Sequence, residues 1–349
     1  MKSISLFSGM GGDTLGMKNA GVNVIAFNEI NDVFTQTHFK NFPDSKFLGG
    51  ENKDIKKIPD EYLEQYNDID LIFAGFPCQG FSNAGKKLPD DPRNTLFREF
   101  VRFTKIIKPK FIIGENVKGL LSRKTHEGCN YIDIIVSEFQ KIGYNIRYQV
   151  FKAHEYGVPQ KRERLIIIGA RQDLNHQLNF PAPIDVDISL KNIVKFDMEG
   201  TIQYDYSELS IPEECIIKDM DNEEEPRNPH PYLVSKVNAD LDKRTYKGKS
   251  YDDLMSFSKR DSPIHCEIID IRNPAKTIIC SYDHQPRFFV PIQNKKGKFI
   301  RCLLPDELKQ IQGFPPDFEL EGNLKQKIVQ IGNAVPPPLI KMVVESLVS

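Results

Sequence analysis

Three kinds of side chain in this sequence could do covalent or acid–base chemistry, and each stands at one end of an apolar run. Cys78 follows a proline, between two glycines, in "GFPCQGFSNAG" (75–85), directly behind the run "DLIFA". A core cysteine would sit inside that run. A thiol at its end meets whatever else arrives there, and as a thiolate it is a nucleophile. Glu115 and Asn116 close "FIIGEN", Glu29 closes "VNVIAFNE", and Arg162 and Arg164 lead into "LIIIGA". Gly9, Gly11 and Gly12 make a tight turn after "SISLF". Each has a plain alternative. A lone cysteine is more often inert than reactive, and an exposed strand-end glutamate is common. "GMGGDTLG" misses the G-x-G-x-x-G pattern because Thr14 takes the place of the third glycine.

The elements that must carry these residues alternate in type. Strands are expected at 3–7, 22–29, 68–75, 109–117, 144–153 and 164–170, with helical patterns at 13–21, 31–42, 59–66, 94–108 and 130–143. In "NTLFREFVRFTKIIK", Leu96, Phe100, Phe103 and Ile107 fall on one helical face. Such alternation gives βαβ crossovers and an α/β, doubly wound, mostly parallel sheet. Ligands of such a sheet bind beyond the C-terminal ends of its strands. One edge would then hold a thiol, two carboxyls, an amide and arginines. Core packing needs no such set.

After Ala170 the rhythm dissolves into proline, asparagine and charge, and it returns at "PDELKQIQGFPPDF" before the final "QIGNAVPPPLIKMVVESLVS". The expected domains are a catalytic unit over 1–180, a smaller irregular, β-containing unit over 181–298, and a C-terminal segment over 299–349 that returns to the first. Of 349 residues, 40% are hydrophobic and 27% charged, an ordinary globular composition. No run approaches the length of a membrane span. The N-terminus enters the glycine turn without a signal-peptide pattern, so an intracellular, unsecreted protein is expected. Six cysteines without a C-x-x-C pair suggest neither zinc nor a redox couple. The net charge of −1 hides an asymmetry: residues 181–226 carry 13 acidic and 3 basic side chains, whereas 227–300 carry 14 basic and 8 acidic. A local basic stretch can serve a nucleic acid even when the whole chain is neutral.

Taken in order, "LFSGMGG", "FNE", "DI" (54–55), "GFPCQGFS", "ENV", "QKRERLIIIG", "IQGFP" and "QIGNAVPPPL" resemble the cytosine-C5 DNA methyltransferases over residues 3–170 and about 300–340. The resemblance implies a Rossmann-like methyltransferase domain with a target-recognition domain in the unmatched middle. It makes Cys78 the nucleophile that adds to C6 of cytosine. Glu115 would hold N3 and the exocyclic amine, Arg164 the O2 of the base with Arg162 beside it, and Asn116 the cysteine loop. The methyl donor implied is S-adenosylmethionine, leaving as S-adenosylhomocysteine, with no metal. Phe7, Ser8, Gly9, Gly11, Gly12, Glu29, Ile30, Asp54, Ile55, Pro77, Leu96, Asn333 and Ala334 would form its pocket.

The partner implied is double-stranded DNA, with no obligate protein partner, and the target cytosine must leave the stack to be reached. Gln79 and Ser82 would touch DNA from the cysteine loop. Lys243, Arg244, Lys247 and Lys249 would grip phosphates if residues 227–298 face the duplex and the acidic 181–226 lie away from it. Two other readings remain open. The branch of the family that methylates tRNA usually carries Cys-Phe-Thr in the middle region, and this chain has none there. An inactive homologue would lose the cysteine, the acid or the arginines, and Cys78, Glu115, Arg162 and Arg164 are all present.

Overall fold

The apolar runs at the N-terminus become strands of one sheet in the computed structural model, which describes residues 1–50, 52–77, 95–125, 127–237, 245–246, 249–250, 255–259 and 266–349. In chain order these are β1 (Lys2–Leu6), β2 (Asn23–Asn28), β3 (Lys46–Phe47), β4 (Leu71–Ala74), β5 (Phe111–Asn116), β6 (Tyr144–Lys152), the short β7 (Gln160–Lys161) and β8 (Glu163–Arg171). Without β7, which pairs elsewhere, they form a seven-stranded sheet in the order β3-β2-β1-β4-β5-β8-β6. Between them run α1 (Gly12–Asn19), α2 (Asp32–Asn41), α3 (Asp60–Leu63), α4 (Phe97–Ile107) and α5 (Tyr131–Lys141). In α4 the buried Phe97, Phe100, Val101, Thr104 and Ile107 recur at helical spacing and form the face turned to the sheet.

The sheet departs from a wholly parallel one at a single strand. β8 pairs antiparallel with both β5 and β6, through Asn116↔Leu165 and Lys152↔Glu163. Residues 153–162 leave no room for the crossover helix that a parallel return requires, so the chain turns back on itself. The N-terminal end of β8 therefore lies at the same edge as the C-terminal ends of β1, β4 and β5.

The middle of the chain builds a second, six-stranded sheet. Its strands are β9 (Ile202–Gln203), β10 (Ile217–Asp219), β13 (Met255–Phe257), β14 (Cys266–Ile268), β16 (Phe288–Asn294) and β17 (Gly297–Cys302), while β11 (Thr245–Tyr246), β12 (Lys249–Ser250) and β15 (Ala275–Lys276) pair outside it. α6 (Pro231–Val237) precedes β11, and α7 (Pro305–Ile311), α8 (Leu324–Asn333) and α9 (Pro337–Val348) follow β17. The β16–β17 hairpin runs across the expected domain limit at 298, so the second sheet extends to Cys302. α9 returns to the first sheet and buries Leu339, Ile340, Val343, Val344 and Leu347 in one cluster with Met17 of α1 and Phe73 of β4. Each such aliphatic side chain contributes roughly 1.5–3 kcal/mol on burial.

The acidic and basic stretches fold onto one another instead of lying apart. Arg227 pairs with Asp197 at 2.7 Å and with Glu224 at 3.0 Å. Arg272 reaches Glu214 at 3.0 Å, Lys296 pairs with Glu225 at 2.5 Å, and Lys295 pairs with Glu223. Part of the basic excess is thus neutralised by the acids of 181–226. Lys243, Arg244 and Lys247 lie outside the described residues; the backbone of Lys249 belongs to β12.

One buried ion pair ties the second sheet to α7. Arg301, fully buried on β17, donates to both oxygens of Glu307 on α7, at 2.8 and 2.7 Å, and to the carbonyl of Lys195 at 2.7 Å. Removing one member strands a buried charge. Arg301→Ala should therefore lower stability by about 3–5 kcal/mol, read from the urea midpoint, and Arg301→Met with Glu307→Met should recover much of it. A single variant within about 0.5 kcal/mol of wild type, the range of ordinary surface changes, would show that the pair is not a structural tie.

Candidate active site

Phe7 leaves β1 with a left-handed backbone (φ 56), an uncommon conformation for a non-glycine residue, which turns the chain sharply into the glycine loop. The loop is fixed from two sides. The amide of Ser8 donates to the Asn28 carbonyl at 3.1 Å, and that of Gly9 to Glu29 Oε2 at 2.9 Å. A side chain at Gly12 would put its Cβ 2.2 Å from the carbonyl oxygen of Val335, so only glycine admits the returning C-terminal segment at that distance.

Glu29 is buried, and its other oxygen accepts the amide of Asn31 at 2.8 Å. Burial raises its pKa against the pull of those amides. Next to it Ile30 is two-thirds exposed (67%), a large apolar side chain left open to solvent. Asn28 holds the Lys53 carbonyl at 3.2 Å, which fixes the approach to Asp54 and Ile55. Asp54 is partly exposed and caps the following turn through the Lys56 amide at 3.1 Å, while Ile55 is buried. Pro77 and Leu96, both partly exposed, flank the undescribed 78–94. Ser8 Oγ is buried without a hydrogen-bond partner. An orphan hydroxyl, a preorganised carboxylate and an open apolar side chain on one strand edge fit a small polar ligand with an aromatic part, as S-adenosylmethionine is.

At the end of β5, Glu115 and Asn116 are both buried. Glu115 Oε1 accepts from Arg164 Nε at 2.7 Å. Burial raises the Glu115 pKa, and the nearby guanidinium groups of Arg164 and Arg162 oppose it. Asn116 Nδ2 donates to the Phe76 carbonyl at 3.1 Å while its Oδ1 accepts the Val117 amide at 2.9 Å. That bracket fixes the backbone two residues before Cys78. Cys78, Gln79 and Ser82 themselves lie outside the described residues.

Arg164 lines an open cleft of about 760 Å³ with Lys118, Lys152, His154, Lys161 and Thr277. Arg162, close enough to act on both Arg164 and Glu115, is not among the residues that line this cleft. Its side chain is buried and donates to the carbonyls of Ile278 at 3.2 Å and Gly332 at 2.7 Å, so it braces two backbone segments. Asn333 Oδ1 accepts from the Cys280 thiol at 2.9 Å, and Ala334 is buried with its carbonyl held by Gln312. Thr277, Gln160 and Gln312 escaped the sequence reading as site residues. "QKRER" and "IQGFP" displayed both glutamines, but nothing in either string says that they meet.

One further buried acid stands behind the glycine loop. Asp13 of α1 accepts a short hydrogen bond from Ser5 Oγ of β1, and burial pushes its pKa up to about 7.

Residues 1–349 match the family model described as C-5 cytosine-specific DNA methylase. The Type II methyltransferase M1.HphI of Haemophilus parahaemolyticus is 31% identical over 352 residues, covering 99% of this chain and 86% of that one. M.FnuDI of Fusobacterium nucleatum, also a Type II methyltransferase, is 31% identical over 358 residues, covering 99% and 94%. Among solved structures, a putative DNA modification methyltransferase encoded within an Escherichia coli prophage superposes with a TM-score of 0.66 at 23% identity, covering 100% of this chain and 98% of that one. A mutant DNMT2 of Spodoptera frugiperda gives a TM-score of 0.68 at 19% identity, covering 100% and 99%. At those identities the two structures speak for the fold alone.

Asp13 sets a pH dependence whose sign follows from its raised pKa. Between the ordinary carboxyl value of 3.8 and about 7 the folded protein keeps a proton that the unfolded chain has released. Stability falls through that window as pH rises, and the contribution levels off above it. Asp13→Asn removes the titration, so the variant should gain on wild type between pH 5 and pH 7.5 in urea unfolding. A stability difference that stays constant with pH would contradict the buried, protonated acid.

Proposed function

The chain belongs to the C-5 cytosine-specific DNA methylase family, and on that premise we propose how its residues divide the transfer of a methyl group to C5 of a cytosine in DNA. S-adenosylmethionine, when bound, supplies an electrophilic methyl group on a sulfonium. Glu29 would accept its ribose hydroxyls, Phe7 and Ile30 would pack on the adenine with Asp54 and Ile55 at its edge, and Ser8, Pro77, Leu96, Asn333 and Ala334 would complete the pocket.

C5 of cytosine is too weak a nucleophile to take a methyl group unaided. The Cys78 thiolate adds to C6, and the displaced ring electrons make C5 an enamine carbon. Glu115 gives its proton to N3 as the adduct forms, the task for which a buried carboxyl with a raised pKa is suited. Arg164 donates to the developing charge at O2 while it orients Glu115, a fixed donor that needs no rearrangement as charge builds. Once C5 carries the methyl group, a water molecule takes the C5 proton. The electrons return through the C5–C6 bond, Cys78 leaves as thiolate, and N3 gives its proton back to Glu115. Asn116 positions the loop through Phe76, and Arg162 acts as a brace behind the reacting groups.

The observation that carries this assignment is the buried Glu115–Arg164 pair at the cleft, with Asn116 gripping the backbone two residues before Cys78. The substrate is DNA with the target nucleotide turned out of the stack, since C5 and C6 are inaccessible in a paired helix.

Bisulfite sequencing of DNA from cells expressing the chain reads the modified base and its sequence context together. A duplex with 5-fluorocytosine at the site so found should trap the wild-type protein covalently, because fluorine cannot depart as a proton does. Cys78→Ser should abolish both trapping and methyl transfer and leave S-adenosylhomocysteine affinity near wild type. Methylation by wild type without a denaturation-resistant adduct would remove Cys78 from its role. Methylation of RNA but not DNA would overturn the substrate assignment.

A further inference from the structure

Behind the cleft lie two glutamines to which the chemistry gives no task, and neither exposes any surface. Gln160 belongs to β7, and Gln312 follows α7. The amide of Ile278 donates to Gln160 Oε1 at 3.0 Å, Gln160 Nε2 donates to Gln312 Oε1 at 2.5 Å, and Gln312 Nε2 donates to the carbonyl of Ala334. The two ends fix the orientation of both side chains. A main-chain N–H can only donate and a carbonyl can only accept, so neither amide can be flipped without losing a bond at each end. The three bonds therefore run head to tail, and each polarises the next in the same sense.

The relay joins two places that matter separately. Ile278 follows Thr277, which lines the cleft beside Arg164. Ala334 follows Asn333, in the segment assigned to the cofactor. Arg162 spans the same gap through the carbonyls of Ile278 and Gly332. A Cβ at Gly332 would lie 2.7 Å from the amide nitrogen of Cys280, so the two backbones touch. The Cys280 thiol, in turn, donates to Asn333. A shift of the cleft wall relative to the cofactor segment would leave buried amide groups unpaired, at a cost for each.

We infer that Gln160 and Gln312 are positioning residues that couple the DNA cleft to the cofactor pocket, so that occupying either site orders the other and raises its affinity. This rests on the methyltransferase reading above. By linkage the effect must be reciprocal. A merely structural role for the two glutamines would affect stability and leave the coupling untouched.

The test compares the calorimetric affinity for S-adenosylhomocysteine with and without a duplex carrying the methylated site. In the wild-type chain the duplex should raise that affinity by on the order of 5-fold or more. Gln160→Leu with Gln312→Leu keeps side chains of similar size and breaks all three bonds of the relay, leaving the Ile278 amide and the Ala334 carbonyl unpaired at some cost in stability. Its coupling factor should fall to near one while affinity for S-adenosylhomocysteine alone stays close to wild type. A double variant that keeps the full factor overturns the inference, as does a wild-type chain that methylates DNA without any coupling. A wild-type chain that methylates no DNA overturns the functional reading instead. Should the double variant not fold, hydrogen exchange on wild type decides. S-adenosylhomocysteine alone should slow exchange at the Ile278 amide and the duplex alone at the Ala334 amide. Unchanged exchange at both refutes the coupling.

Discussion

A carboxyl group buried at the mouth of a sheet needs a compensating partner, and in this chain the direction of one strand supplies it. Glu115 ends β5 and Arg164 begins β8, and the two meet at 2.7 Å only because β8 runs against β5. A parallel β8 would carry Arg164 to the opposite edge and leave Glu115 alone in a poorly solvated site, at a cost of several kcal/mol. The balance is useful chemically. Burial raises the Glu115 pKa against the pull of the guanidinium groups, so the carboxyl holds a proton more readily than an exposed one would. The same reversal confines residues 153–162 to a tight return. That return delivers Gln160 and Arg162 to the backbone of the recognition unit and Arg164 to the cleft.

Six of the seven strands of the first sheet were legible in the sequence because their apolar runs are short, continuous and bounded by turns, whereas the two-residue β3 leaves no such run. The edge on which the chemistry gathers was legible for the same reason: Glu29, Glu115 and Asn116 sit at the ends of such runs. The reversal of β8 was less visible. "YNIRYQVFKA" and "RLIIIGA" read alike in either direction, and only the missing helix between them hints at a hairpin. Arg162 and Arg164 are two residues apart in one motif, and the string alone treats them as equals. Their fates diverge because Arg162 meets the carbonyls of Ile278 and Gly332, which approach from 116 and 170 residues away in the chain. Long-range partners of that kind leave no local periodicity.

The middle region shows why charge counted along a chain misleads about the surface. The acids of 181–226 and several basic residues beyond them compensate one another across the recognition unit, through Arg227–Asp197, Arg272–Glu214 and Lys296–Glu225. Pairs this exposed contribute little to stability. They blunt the field of the fold more than they hold it together. What holds it is the buried Arg301–Glu307 pair and the apolar cluster running from Leu190 through Phe289 to Ile331, which unites the recognition unit with α7 and α8.

A nearly neutral protein can still bind a polyanion if its cations are available where the anion arrives. At the cleft, Lys118 is engaged by Glu163 at 3.0 Å and Lys152 by Glu155 at 3.2 Å, and both pairs are open to water. An exposed carboxylate is easily exchanged for a phosphate, since neither partner has to be desolvated anew and the pair it leaves was weak. The buried Glu115–Arg164 contact is different: its side chains are only 11% and 12% exposed. The cleft thus grades from exchangeable charge at its rim to fixed charge at its floor. A backbone phosphate can displace the first without disturbing the second. Grip and chemistry can therefore share one groove without competing for the same cations.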